Sequence, residues 1–364
     1  MRYLSKNSGL KQLILLFLIA GFSLQAQTVR KYSNEFLNIG VDARAFGMSN
    51  AMVATTGDVN SGYWNPAGLT RLEDKQLSLM HASYFANIAN YDYAAFAMPL
   101  DDNSAVAFSL IRFGVDDILN TTQLIDDQGQ INYDRISLFS TADYAGTFSY
   151  ARNLPLDGFS FGVNAKVVRR IIGDFANSWG FGLDAGLQFK GDNNWQYGLL
   201  VRDITTTFNA WSIDEDKFAE IQGAVEGQNQ DLPETTEITI PKMQLGVAKL
   251  FTFNYDYTLQ TELDLNFRFA ETNDFLSTPN LSMTPALGLE FGYLNMIFVR
   301  TGLGNVQNTR KLDGTESTSV QPNLGVGFKY KGIAVDYALT DIGDSSATLY
   351  SNVFSVTLDW DIFR

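Results

Sequence analysis

His81 is the one side chain in 364 residues with an ordinary pKa near neutrality, and the chain holds no cysteine. Disulfides, thiolate nucleophiles, iron–sulfur clusters and thiolate zinc sites are therefore excluded, and a histidine dyad lacks its second member. Forty Asp+Glu against 26 Lys+Arg give a formal charge of −14, which opposes a nucleic-acid partner. Carboxylates are the remaining source of chemistry. Asp126-Asp127-Gln128-Gly129 has turn composition and too few carboxylates for a calcium loop. Gly302-Leu303-Gly304 ends an alternating segment instead of opening a phosphate-binding helix. No catalytic residue, metal ligand or cofactor is expected. What stands out is a set of charges at alternate positions of otherwise apolar segments: Lys166, Asp184, Arg202, Glu262, Asp264, Arg268, Glu290, Arg300, Asp336 and Asp359. Such groups need water or one another.

The elements that carry them have a period of two. Tyr257, Leu259, Thr261, Leu263, Leu265 and Phe267 alternate with Thr258, Gln260, Glu262, Asp264, Asn266 and Arg268; Phe354, Val356, Leu358, Trp360 and Ile362 alternate with Ser355, Thr357, Asp359 and Asp361. This pattern predicts fourteen strands, at 77–85, 91–98, 104–112, 143–152, 158–170, 178–190, 195–203, 242–251, 256–268, 285–294, 296–303, 321–330, 332–340 and 352–362. Connections after even strands are short, such as 191–194, while 113–142 and 204–241 follow odd strands and are long. Sorted connections, strand lengths near those of a tilted membrane strand, and an even count point to a closed antiparallel transmembrane β-barrel. A soluble sandwich, with its apolar faces meeting in a core, is the competing all-β reading. Closure follows because an open edge cannot be satisfied in lipid. Tyr91, Tyr93, Trp179, Trp195, Tyr197, Tyr293, Tyr330, Trp360 and Phe363 are expected in the interfacial aromatic girdles, and Ile362-Phe363-Arg364 resembles a barrel insertion signal.

Before the barrel, Arg2, Lys6 and Lys11 precede the apolar run Leu13–Ala20, as in a secretory signal peptide. Cleavage after Ala26 is expected, giving a signal peptide at 1–26, an amino-terminal plug at 27–74 and a barrel at 75–364. Within the plug, Asn65 before Pro66 suits an Asx-turn, and Ala43, Ala45, Gly47, Ala51, Ala54 and Gly62 allow close packing. Arg44 is placed to pair with a luminal carboxylate such as Glu262 or Asp264. The long loops carry Ile118, Leu119, Leu124, Ile125, Ile131, Leu138, Phe139, Trp211, Phe218 and Ile221, apolar groups that call for a partner or a local fold.

The stretches Gly40-Val41-Asp42-Ala43-Arg44-Ala45-Phe46-Gly47-Met48 and Tyr63-Trp64-Asn65-Pro66-Ala67-Gly68-Leu69 resemble the amino-terminal signature of the PorV/PorQ family, within the FadL-like outer-membrane barrel superfamily. Gly68-Leu69 departs from the usual PorV form and follows the wider superfamily. The resemblance implies a fourteen-stranded barrel with its amino terminus tucked inside, embedded among the lipids of the outer membrane of a Gram-negative bacterium of the Bacteroidetes. It also implies a non-enzymatic role in type IX secretion, with the translocon, secreted cargo or surface attachment proteins as partners. Asp42, Ala43, Arg44, Gly47, Trp64, Asn65, Pro66, Ala67 and Gly68 form the plug motif, and Ile118, Leu119, Ile125, Phe139, Trp211, Phe218 and Ile221 are the candidate partner contacts. A FadL-like channel for hydrophobic small molecules is the alternative, and an outer-membrane lipase or protease the least supported reading.

Overall fold

The computed structural model describes residues 33–84, 88–125, 128–217, 235–310, 315–340 and 351–360. The expected signal peptide, Phe218, Ile221 and Phe363 lie outside these residues. The strands, in chain order, are β1 Gln76–Tyr84, β2 Ala89–Asp101, β3 Ser104–Asn120, β4 Ser137–Asn153, β5 Phe159–Ile172, β6 Ala176–Lys190, β7 Trp195–Arg202, β8 Thr207–Ile213, β9 Thr236–Thr239, β10 Lys242–Phe253, β11 Tyr257–Arg268, β12 Leu276–Thr278, β13 Leu281–Tyr293, β14 Ile297–Arg310, β15 Glu316–Tyr330, β16 Ile333–Thr340 and β17 Ser351–Asp359. Fourteen of them, β1–β7, β10, β11 and β13–β17, form a closed antiparallel ring, sealed where β1 pairs with β17 over Gln76↔Asp359 to Ser83↔Asn352. The membrane barrel expected from the alternation is therefore the fold.

Alternation sets the faces. On β11, Glu262 and Asp264 point inward and are almost fully buried, while Leu263 points outward and is 39% exposed. The outward apolar residues end, at the short-turn side, in an aromatic belt: Phe159 stacks on Phe189 at 4.3 Å, Trp195 lies 6.3 Å from Tyr197, and Tyr257 lies 5.0 Å from Tyr293. Rings at this level suit the membrane interface. Tyr91 and Tyr93 do not join it. Their parity on β2 is fixed by pairing with β1, where Tyr93 lies opposite the inward Met80. Both are buried in an apolar cluster with Met80, Phe46 and Trp64 inside the ring.

Strand ends differ most on the long-loop side. β3 and β4 stay paired up to Asn120↔Ser137, so the expected loop 113–142 is largely a hairpin standing above the wall. The connection 204–241 also carries structure: β8 pairs with the upper half of β6, and β9 pairs with β8, which fills the space above the short β7. β12 pairs with β13 in the same manner. These three short strands add to the fourteen without entering the ring.

The ring encloses the chain from Ser33 to Leu72. One-turn helices at Ala43–Gly47 and Ser61–Trp64 and a 3-10 helix at Pro66–Arg71 are joined by turns, and nearly every residue between Gly40 and Leu69 is buried. So short a set of helices cannot stand alone in water; contacts with the wall hold it.

Candidate functional site

The inner segment is held first by charge. Arg44, inside the first one-turn helix, donates from Nε and Nη2 to the two carboxylate oxygens of Glu290 at 2.8 and 3.0 Å. Glu290 also accepts from Arg300 Nε at 2.5 Å, and Arg300 Nη1 donates to Asp336 at 2.6 Å. The result is an alternating chain of Arg44, Glu290, Arg300 and Asp336, in the bidentate geometry that guanidinium and carboxylate favour. Arg44 thus pairs with Glu290 on β13, not with Glu262 or Asp264. Those two β11 carboxylates do different work. Asp264 Oδ2 accepts from the backbone N–H of Met52 and of Val53 at 2.9 and 3.2 Å. Glu262 accepts from Ala54 N at 2.6 Å and from the Thr55 hydroxyl. Consecutive amides of a turn, which no helix or strand would satisfy, are capped by the wall. Side-chain identity in 52–54 plays no part, so nothing in those residues signals the contact.

Asp42 caps the same helix. Its Oδ1 accepts from Arg44 N at 3.2 Å and from Ser355 Oγ at 2.7 Å, while Ser355 Oγ accepts from Ala43 N at 3.1 Å. The backbone at Asp42 has φ 73°, a left-handed conformation that short polar side chains tolerate. Burial, then the neighbouring charges of Asp336 and Asp58, push the Asp42 carboxyl up to about 7.

Asn65 sits at the other end of the segment and is fully buried. Its Oδ1 accepts from Ala67 N at 3.2 Å, which is the expected Asx-turn, and its Nδ2 donates to Val53 O at 2.9 Å and to Leu187 O on β6 at 3.1 Å. Pro66 opens the 3-10 helix where its missing N–H is harmless. Trp64 Nε1 donates to Val41 O at 3.0 Å, tying the two halves of the segment together. Gly68 is required by space: a Cβ there would lie 2.3 Å from Thr56 O. Gly47 approaches Gly325 of β15 closely, with an added Cβ 3.0 Å from the Gly325 Cα. The wall answers with glycines of its own. A Cβ at Gly162 would lie 2.4 Å from the Pro66 carbonyl carbon, and one at Gly198 would lie 2.2 Å from Val53 O. The structure therefore brings all nine motif residues into one buried seat.

Above the seat, on the long-loop side, lies a cavity of about 530 Å³ whose lining includes Asn50, Tyr63, Arg202, Lys242, Arg268 and Asn323. Arg202 donates to Leu37 O, Tyr63 O and Gln244, and its guanidinium lies 4.4 Å over the Tyr63 ring. Among the described residues no cluster of His, Cys, Asp and Glu is arranged to hold a metal ion.

The loop residues divide. Ile118 lies across from Phe139 in the β3–β4 hairpin, next to Leu119 opposite Leu138. Ile125 bridges to Ile131 nearer the tip, and Leu119, Ile125, Ile131 and Leu138 are each about 60% exposed. Tyr133, 71% exposed, belongs to this patch, and Phe175 packs edge-on against Phe139 at 5.5 Å. Sequence reasoning missed both; Tyr133 lies in a stretch without periodicity. Trp211 stands apart on β8, its ring under the Arg170 guanidinium at 5.2 Å.

Residues 22–194 match the model of the family described as "Type IX secretion system protein PorV". Among solved structures, the P. putida toluene transporter TodX is similar with a TM-score of 0.56 at 12% identity, over 88% of this chain and 99% of that one. A Pseudomonas aeruginosa FadL homologue (TM-score 0.52, 13% identity, 88% and 98% covered) and the Ralstonia pickettii toluene transporter TbuX (0.50, 11%, 88% and 98%) share the same architecture. At these identities the likeness is one of fold. No curated protein matches. With the signature seated inside a closed barrel and the match covering it and the first six wall strands, the chain is similar over 22–194 to the PorV family of type IX secretion proteins, and it is an integral outer-membrane barrel on the FadL-like fold.

Proposed function

We propose that the chain works in type IX secretion by binding other proteins, cargo or surface attachment components, through its raised β3–β4 hairpin, and that it neither conducts solutes nor catalyses a reaction. The observation that carries this is the filled lumen. The segment Ser33–Leu72 is a plug, stapled by the Arg44–Glu290 pair and by amides capped on Glu262 and Asp264. At Gly162, Gly198 and Gly325 the wall approaches the plug too closely for a side chain. The cavity above the plug mixes apolar walls such as Phe46, Phe113 and Phe267 with Arg202, Lys242 and Arg268, and its floor is the plug itself. The hairpin offers what a docking surface requires, an exposed apolar group outside the lipid.

The test replaces 121–136 with a short Gly/Ser turn. Heat-modifiable gel migration should stay that of a folded barrel, while capture of secreted type IX cargo falls at least tenfold. Wild-type capture by this variant would remove the hairpin from the mechanism. Steady conductance in planar bilayers, or uptake of an apolar solute by liposomes carrying the wild-type barrel, would instead favour the channel.

A further inference from the structure

Three cations stand side by side inside the ring. Arg202 on β7 lies directly opposite Lys242 on β10, and Lys242 lies directly opposite Arg268 on β11. Their parity is that of the inward Glu262 and Asp264, and Lys242 is only 6% exposed. Like charges set directly across a ladder repel. Arg202 directs its hydrogen bonds to uncharged oxygens, those of Leu37, Tyr63 and Gln244. Carboxylates stand at the edges of the row: the exposed Glu35 lies 3.2 Å from Lys242 Nζ, and Asp274 lies 3.9 Å from Arg268. All three cations line the cavity of about 530 Å³ above the plug, and no carboxylate is among its described lining residues. In a chain of formal charge −14 this is a local reversal of sign.

The rest of the polar wall is amide. Gln244 Nε2 donates to Asn266 Oδ1, and Asn266 Nδ2 donates to Thr284 O at 3.4 Å. Two amide oxygens are left over. Asn323, 7% exposed, donates from Nδ2 to Ser49 Oγ at 2.8 Å, while its buried Oδ1 has no donor among the described residues. Asn50, next to Ser49 in the chain, donates to Ile39 O at 3.1 Å, and its buried Oδ1 likewise has no donor there. A buried acceptor left without a hydrogen is costly, so such atoms mark where a ligand's donor fits.

We infer that this cavity binds an anionic saccharide, with its acid group on the Arg202–Lys242–Arg268 row and its hydroxyls donating to Asn323 and Asn50. The volume falls in the roughly 300–1,000 Å³ of small-molecule sites. An alkyl chain would leave the amides unpaired. A peptide lacks a strand edge to join, because β7, β10, β11, β13 and β14 are each paired on both sides. The inference goes beyond the docking of proteins on the hairpin and stands independently of it, since capture above the plug needs no passage through it.

Isothermal titration of the purified full chain in detergent tests the site, with digalacturonate, glucose 1-phosphate, cellobiose and sodium sulfate as probes. The expected result is saturable binding of digalacturonate or glucose 1-phosphate, the tighter of the two identifying the acid group, at least tenfold stronger than that of cellobiose or sulfate. Lys242→Met should weaken this binding at least tenfold, with heat-modifiable migration unchanged; if it fails to fold, Arg268→Gln serves the same purpose. Asn323→Ala should weaken the acidic sugar at least threefold and leave sulfate unaffected. No saturable binding of either acidic sugar, or cellobiose or sulfate binding as tightly as they do, would overturn the proposal. So would binding that survives the charge variants, or a short peptide with a free carboxylate, acetyl-Ser-Gly-Ala, binding tenfold more tightly than either sugar, which would reassign the cavity to a chain terminus.

Discussion

At the residue scale, the seat of the inner segment depends on a chain of buried charges, Arg44, Glu290, Arg300 and Asp336. Removing one partner of a buried ion pair typically costs 3–5 kcal/mol, because the other charge is left behind. Arg44→Ala should therefore lower the temperature at which the barrel loses heat-modifiable migration. The double variant Arg44→Ala/Glu290→Gln should be less destabilised than the two single effects added together, and strict additivity would show the pair to be incidental. Asp42 gives a pH signature. Its carboxyl titrates near 3.9 in an unfolded chain and about 7 in the folded one. Between those values the folded state holds a proton that the unfolded state has released. Stability therefore falls as pH rises from about 4 to 7, by up to ~4 kcal/mol, and levels off above. Urea midpoints in detergent across this window should show the slope, and Asp42→Asn should flatten it.

At the element scale, the wall strands do two jobs, and single substitutions separate them. Leu263 faces lipid, so Leu263→Arg should cost ~2–4 kcal/mol in assembly. Its neighbour Glu262 points inward and caps Ala54 N and Thr55. Glu262→Ala should leave the ring able to form but loosen the inner segment, which protease cleavage at Arg71 would reveal. Gly162→Val should act more strongly than Gly146→Ala. The first drives a side chain into Pro66 and Ala67, while the second meets nothing nearer than Phe108 at 3.9 Å. Equal protease patterns for the two would mean that the glycine contacts do not position the segment.

At the scale of the whole molecule, the closed ring was legible because alternation, turn sorting and strand length agree on β11, β17 and their neighbours. The Asx-turn at Asn65 was legible because its bonds are local. Three things were not. β8, β9 and β12 are short and take their pairing from β6 and β13, so their own residues show no strand signal. The inward parity of Tyr91 and Tyr93 is set by Met80 across the ladder. The partnership of Arg44 with Glu290 joins positions 246 apart, among several luminal carboxylates that composition cannot rank. Orientation follows from the sorted connections: an epitope tag in 121–136 should be reached by antibody on intact cells and one in 191–194 should not. Labelling at Asp192 from outside would invert the barrel.

The bond from Ser355 to Asp42 has a consequence for the order of events in assembly. Ser355 lies on β17, the strand that closes the ring against β1, and its hydroxyl also takes the N–H of Ala43. The ring surrounds the segment from Ser33 to Leu72 laterally. If that segment seats before the seam closes, an empty or misthreaded ring lacks these bonds at its final joint and is expected to stay open longer. Ser355→Ala should accordingly raise the fraction of chains degraded during biogenesis more than it lowers the stability of those that finish.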